Sequence, residues 1–275
     1  MTIERPALRY YGGKFRLAPW IISHFPQHDS YVEPCGGAGS ILLLKERSPL
    51  ETFNDLDGQI TNFFRVIRDR RDELIEKIEF TPWSRLEYDL VRLPCDDELE
   101  SARRVYMWLN MAISASRRYR SGMRMVKNSE AVPAQQHINT KHLYDISRRL
   151  MGVQIEGLPA IECIQRYDTP NTLTYFDPPY LMEGRTSGKE YMIEADEQFH
   201  IDAAELLNQS QGYVIVSGYT SELYRLQYEV QGWSRLDQET QTNGEKRVES
   251  IWLNPKLAYI LAKQQETPSQ LNLFG

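Results

Sequence analysis

The run Thr172-Leu173-Thr174-Tyr175-Phe176 leads directly into Asp177-Pro178-Pro179-Tyr180, and two consecutive prolines leave a strand no way to continue. A strand therefore ends at Asp177. After it, residues 197–209 have helical spacing with Asp196 in the cap position, and residues 213–217 form a second apolar run of strand type. Strands alternating with helices in this way indicate an α/β sheet domain. Ligands in such sheets gather at the carboxyl ends of the strands, where the tetrapeptide lies.

The first third alternates in the same way. Residues 16–25 suit a short helix, 30–33 an extended segment, 40–46 a helix, and 51–54 a strand. Residues 58–80 carry apolar side chains at helical spacing, with a break near Arg70 and Arg71. Between 71 and 151 the pattern is mostly helical. Ser84-Arg85-Leu86-Glu87 has capping-box spacing. Asp96, Asp97, Glu98 and Glu100 place acids at the positive end of a helix whose inward face is Ala102, Val105, Tyr106, Leu109 and Ile113. Residues 114–134 show no period and read as an exposed loop or hairpin, and 140–150 as a further helix stopped near Gly152. Alternation resumes at 153–156, and Asn243-Gly244 sits between the strand-like runs 234–238 and 247–253, a hairpin signal. The expected organisation is an α/β catalytic domain from residues 1–70 and 152–263, a helical insert at 71–151, and a loose tail at 264–275.

Several classes are excluded on composition. No apolar run reaches membrane-spanning length, the opening Met1–Tyr10 stretch carries Glu4, Arg5 and Pro6 in place of an apolar core, and Cys35, Cys95 and Cys163 suggest neither a disulfide framework nor a zinc site. No metal is expected, and a reducing cytoplasm is. The net charge of −6 argues against a general nucleic-acid coat protein. Yet Arg103, Arg104, Arg117, Arg118, Arg120, Arg124 and Lys127 follow one another with no acid among them. Such a segment is either a DNA-facing surface or a solvated helix face.

The tetrapeptide suits chemistry on an amino group attached to an aromatic ring. The nitrogen lone pair of such an amine is delocalised, so the amine is a poor nucleophile. A carboxylate from Asp177 and the carbonyl of Pro178 could both accept its hydrogens and favour a pyramidal nitrogen. Pro178 and Pro179 stiffen the turn without adding N–H donors. Tyr180 offers a flat face for a base to stack on, a contact of about 1–3 kcal/mol in nucleic-acid sites. An ordinary Asp-Pro turn is the alternative.

Upstream, Glu33-Pro34-Cys35-Gly36-Gly37-Ala38-Gly39-Ser40 turns from strand to helix through glycines, a geometry that lets backbone N–H groups approach a ligand. It is not the dinucleotide fingerprint. Asp55 closes the following strand, where an acid reaches ribose hydroxyls; Asp57 is the second candidate, or else a helix cap. Tyr10-Tyr11-Gly12-Gly13-Lys14 lacks the spacing of a P-loop and places a cation for a carboxylate or phosphate, or forms a surface turn.

Taken in this order, Tyr10 to Lys14, Glu33 to Ser40, Asn54-Asp55 and Asp177 to Tyr180 resemble the DNA adenine methylase (Dam-type) family, amino-methyltransferases of the α motif order. Residues 63–69, 81–85 and 247–255 extend the likeness over nearly the whole chain. The resemblance implies a Rossmann-like seven-stranded methyltransferase sheet and S-adenosylmethionine as methyl donor. It implies that Tyr10, Lys14, Asp55 and Asp177 contact that cofactor, that Glu33, Pro34, Cys35, Gly36, Gly37 and Gly39 form its glycine loop, and that Asp177, Pro178, Pro179 and Tyr180 hold a flipped adenine. Cys35 stands where the family usually has Phe. The insert at 71–151 would recognise double-stranded DNA, with Arg117, Arg118, Arg120, Arg124 and Lys127 on phosphates or guanine edges. A cognate restriction enzyme acting on the same site is a further expected partner.

His200 reads as a packing histidine, and the loop at 184–188 as a segment that closes over the site. Gln270, Leu271, Leu273 and Phe274 resemble the short peptide by which bacterial replication and repair proteins dock on the sliding clamp. Rival functions are cytosine-N4 methylation, protein-glutamine methylation (which would favour Asn in place of Asp177), and a non-catalytic DNA or clamp adaptor.

Overall fold

A computed structural model of the chain describes residues 3–114, 116, 121–125, 139–181, 191–242 and 245–266. Its elements, in chain order, are α1 (Ala18–Ile22), β1 (Ser30–Glu33), α2 (Ser40–Leu44), β2 (Leu50–Asn54), α3 (Gly58–Asp69), α4 (Arg71–Glu79), α5 (Arg85–Leu90), α6 (Glu98–Met111), α7 (Lys141–Leu150), β3 (Gln154–Glu156), α8 (Ala160–Tyr167), β4 (Thr172–Phe176), α9 (Glu197–Asn208), β5 (Tyr213–Gly218), α10 (Glu222–Gln227), a 3-10 turn (Glu229–Gln231), β6 (Ser234–Thr242), β7 (Glu245–Leu253) and α11 (Pro255–Glu266).

The strands form one seven-stranded sheet in the order β3-β2-β1-β4-β5-β7-β6. Its first five strands run parallel, and the β6–β7 hairpin adds two antiparallel ones beside β5. The strand order reverses between β1 and β4, which pair directly. That is the switch point at which open α/β sheets leave a crevice at their carboxyl ends. β4 is buried along its whole length, as expected of a central parallel strand covered on both faces.

The helices begin where short polar side chains can take their free N–H groups. Asp57, Ser84, Asp97, Asp196 and Ser221 each accept a backbone N–H at the start of α3, α5, α6, α9 and α10. Asp57 is thus a helix cap. The expected break at Arg70 is present, with α3 and α4 meeting there.

The region 71–151 contributes α4 to α7 between β2 and β3, and these share a core with the sheet domain. Phe63 of α3 stacks on Tyr106 of α6 with ring centres 6.2 Å apart. One apolar cluster includes Phe53 of β2, Leu74 of α4, Leu109 of α6 and Ile146 of α7. A buried ion cluster fastens the same seam: Arg149 of α7 donates to both oxygens of Glu51 at 2.5 and 2.7 Å, and Lys45 adds a third bond at 2.6 Å.

Some expectations are corrected. Ile113 is exposed instead of facing inward, because α6 ends at Met111 and the chain turns to an extended conformation at Ala112, which bridges antiparallel to Met123. Arg103 and Arg104 leave the basic surface, since Glu87 and Glu100 pair with them at 2.6 to 2.8 Å. Residues 263–266 are helical, as the end of α11. Arg117, Arg118, Arg120, Lys127, the loop 184–188 and the tail residues Gln270 to Phe274 lie outside the described residues. Among the described residues, no helix is long and apolar enough to cross a membrane, and no group of His, Cys, Asp and Glu could hold a metal ion.

Candidate active site

A cavity of about 350 Å³ opens at the carboxyl ends of β1 and β4. Its wall comes from residues 10–14, 33–38, 55–57 and 191–196, together with Tyr175, Asp177, Pro179 and Phe199.

The glycine turn is held by its neighbour strand. Asn54, fully buried at the end of β2, donates to the Pro34 carbonyl at 2.7 Å and to the Leu158 carbonyl at 3.0 Å, while its own carbonyl accepts from the Gly36 N–H at 2.8 Å. At Gly36 there is no room for a side chain, since an added Cβ would lie 2.2 Å from the Phe53 ring. Gly37 has φ +50°, and its N–H donates to Asp55 Oδ2 at 2.8 Å; Asp55 Oδ1 accepts from the Asp57 N–H at the same distance. Gly39, at φ +63°, starts α2 and is set back from the cavity wall.

On the opposite side, the Lys14 ammonium joins the first turn to the tetrapeptide. It donates to the Gly12 carbonyl at 3.0 Å, lies 3.1 Å from Asp177 Oδ2, and sits 4.6 Å from the centre of the Tyr180 ring. Tyr180 is buried. Its hydroxyl donates to Glu249 Oε2 of β7 at 3.0 Å, and its ring meets Tyr219 edge-on at 4.7 Å. Burial works against the charge on Lys14, but the nearby Asp177 and Glu249 carboxylates outweigh it and hold its pKa above the usual lysine value.

Two buried carboxylate oxygens, Asp177 Oδ1 and Glu33 Oε2, have no hydrogen-bond partner among the described residues. Burial pushes the Asp177 carboxyl above the ordinary range, against the opposing pull of Lys14. The Glu33 carboxyl is pushed by burial to about 8, although the nearby Tyr31 hydroxyl and the bond from the Leu42 N–H to Oε1 resist the change. Unsatisfied buried acceptors are costly, so such atoms mark places where a ligand's donors fit.

The sequence matches the family model described as D12 class N6 adenine-specific DNA methyltransferase over residues 10–243. The chain belongs to this family. It is an enzyme that methylates adenine in DNA. The D12 methyltransferase is similar to a type II methyltransferase, M1.LlaDCHI of Lactococcus lactis subsp. cremoris, at 26% identity over 88% of this chain and 90% of the relative. It is also similar to the type II methyltransferase M.MjaIII of Methanocaldococcus jannaschii, at 24% identity over 72% and 78%. A DNA adenine methylase of Serratia marcescens matches at 29% identity over 27% of each chain.

In this D12 methyltransferase, Tyr10, Lys14, Glu33, Pro34, Cys35, Gly36, Gly37, Asp55 and Asp177 all border one cavity, as does Pro179. Pro178 and Tyr180 are buried beside it. Arg124 is elsewhere: it donates to the Asn110 carbonyl at 3.3 Å, near Arg5 and Arg9 in a second, polar hollow. The sequence reading missed residues 191–195 and Phe199, which form the cavity's outer wall, and the braces Tyr219 and Glu249. Phe199 was within reach, because the Asp196 cap fixes where α9 begins and Phe199 is the residue whose N–H it binds. Nothing local signals the others, whose roles depend on strands paired across the sheet.

Proposed function

We propose that the methyl donor is S-adenosylmethionine and that the adenine is rotated out of duplex DNA to meet it beside Asp177. The carrying observation is the state of the Asp177 carboxylate: one oxygen is anchored on Lys14, and the other is buried and unpartnered at the cavity edge. A carboxylate so held can accept a hydrogen from the N6 amine while the Pro178 carbonyl takes the second.

The residues present fit the donor. Asp55, on a rigid turn, suits ribose hydroxyls, and Leu56, Ile193 and Phe199 give apolar walls for a flat base. The Lys14 ammonium suits a carboxylate, and the spare oxygen of Glu33 suits an ammonium. When bound, S-adenosylmethionine supplies an electrophilic methyl carbon. The chain's own part is to position and to polarise. Asp177 and the Pro178 carbonyl draw the amine hydrogens away from the ring plane, Tyr180 supports the base by stacking, and Lys14 keeps Asp177 aimed.

The helical region 71–151 serves as the DNA target-recognition element, with Arg117, Arg118, Arg120, Arg124 and Lys127 as its contacts. The tail residues Gln270, Leu271, Leu273 and Phe274 serve as a sliding-clamp peptide, and the enzyme shares its site with a restriction enzyme. These readings rest on residue type and on the family resemblance.

The test is to incubate the protein with unmethylated genomic DNA and labelled S-adenosylmethionine, then analyse nucleosides by mass spectrometry. Label in N6-methyladenine is expected. Label in N4-methylcytosine, or none with that donor, would refute the proposal.

A further inference from the structure

Resting on the reading of Asp177 to Tyr180 as the amine-binding turn, we infer that His200 is a positioning residue that sets this turn, with Tyr224 holding His200 in the required tautomer. His200 is 2% exposed. Its Nε2 lies 3.1 Å from the Pro179 carbonyl, and its Nδ1 lies 3.1 Å from the Tyr224 hydroxyl. A carbonyl only accepts, so Nε2 carries the hydrogen and donates it. In the neutral ring Nδ1 is then an acceptor, and the Tyr224 O–H is its donor. Burial holds the Tyr224 phenol well above its ordinary pKa, so that hydrogen is retained. Every polar atom of the imidazole is thus committed, and the direction of the chain of bonds is fixed.

The turn needs such a brace. The rings of Pro178 and Pro179 lock φ at both residues, and planar peptides leave ψ as the soft torsion of each. The bond from His200 fixes ψ at Pro179, and with it the path of the chain into Tyr180. Pro179 borders the cavity, and a carbonyl already bonded to His200 competes less with the Pro178 carbonyl for the amine hydrogens. An amine turned toward the wrong carbonyl would present its lone pair away from the methyl carbon.

The placement follows from one helical turn. The Asp196 cap starts α9, and the next turn presents Phe199 to the cofactor cavity and His200 to the tetrapeptide, the two rings packed edge-on at 5.7 Å. Tyr224, from α10, is locked in turn against Trp252 of β7 at 5.0 Å.

The experiment measures single-turnover methyl transfer to unmethylated genomic DNA at saturating tritiated S-adenosylmethionine, with cofactor affinity measured separately by calorimetry. His200→Ala is expected to slow transfer at least 30-fold while the cofactor Kd stays within about 3-fold. His200→Gln, whose amide can donate to Pro179 and accept from Tyr224, should recover to within about 5-fold of the parent. Tyr224→Phe should lie between the two. A His200→Ala rate within 2-fold of the parent would overturn the inference, as would a Gln variant no faster than Ala although it binds cofactor normally. Asp177→Ala run alongside separates the two levels: its retained activity would remove the site itself, whereas an inactive Asp177→Ala beside an unimpaired His200→Ala removes only this assignment.

Discussion

Lys14 Nζ lies 3.1 Å from Asp177 Oδ2, so the first glycine turn and the end of β4 are joined at the cavity wall. Both side chains are largely buried, and neither charge is well accommodated without the other.

Removing the cation should therefore change how Asp177 titrates. In Lys14→Met the force that opposes desolvation is lost, and the carboxyl rises further above its ordinary range. An acceptor role needs Asp177 ionised. The acid limb of the pH–rate profile should move to higher pH, with a lower rate than the parent on that limb. Profiles of both proteins at saturating cofactor check this.

Gly36 and Gly58 make a matched pair. A Cβ on Gly36 would sit 2.2 Å from the buried Phe53 ring, whereas one on Gly58 meets nothing within 4 Å. Gly36→Ala should cost about 1–3 kcal/mol and weaken S-adenosylmethionine binding, because Phe53 cannot retreat from a packed core. Gly58→Ala, on the first turn of α3, should be neutral or stabilising by up to about 1 kcal/mol. Denaturant titrations and calorimetry on both variants would show the contrast.

Glu51 should matter for stability and little for chemistry. Its carboxylate is 2% exposed and pairs with Lys45 and Arg149 together. Glu51→Ala leaves two cations without their partner, and removing one member of such a buried set typically costs about 3–5 kcal/mol. Thermal melts should drop steeply, and the seam between α7 and the sheet should show faster hydrogen exchange.

Glu33 gives a pH signature with a definite sign. Its folded pKa, pushed by burial to about 8, lies above the value of about 4.3 expected in the unfolded chain. The folded state binds the proton more tightly, so the contribution is fully present below pH 4 and is lost as pH rises toward 8. Glu33→Gln, neutral at every pH, should flatten this part of the stability curve. Cofactor-free protein unfolded in urea across pH 5 to 9 provides the comparison.

Much of this site was legible in the residues because its signals are local. Two prolines stop β4 at Asp177, and the glycines of 36–39 have few other uses between a strand and a helix. The caps Asp57, Ser84 and Asp196 are likewise local, and each helix begins where its cap stands. By contrast, α8 and α11 went unread although Ala160, Cys163 and Ile164 form a buried helical stripe and Pro255 opens the last helix. The first follows the turn-like Gly157-Leu158-Pro159, and the second follows β7 with only Asn254 between them. Glu249 reaches Tyr180 only because β7 pairs antiparallel with β5, a register that no local pattern encodes. His200 was legible as buried and illegible as a donor, since Pro179 and Tyr224 reach it from two other elements.

The central claim is that the free oxygen of Asp177 accepts from the adenine amine. Single-turnover methyl transfer by Asp177→Ala, at cofactor concentrations shown by calorimetry to saturate it, tests this most directly. The account predicts a fall of at least a thousandfold with a folded, cofactor-loaded protein. Transfer within tenfold of the parent rate under those conditions would contradict it.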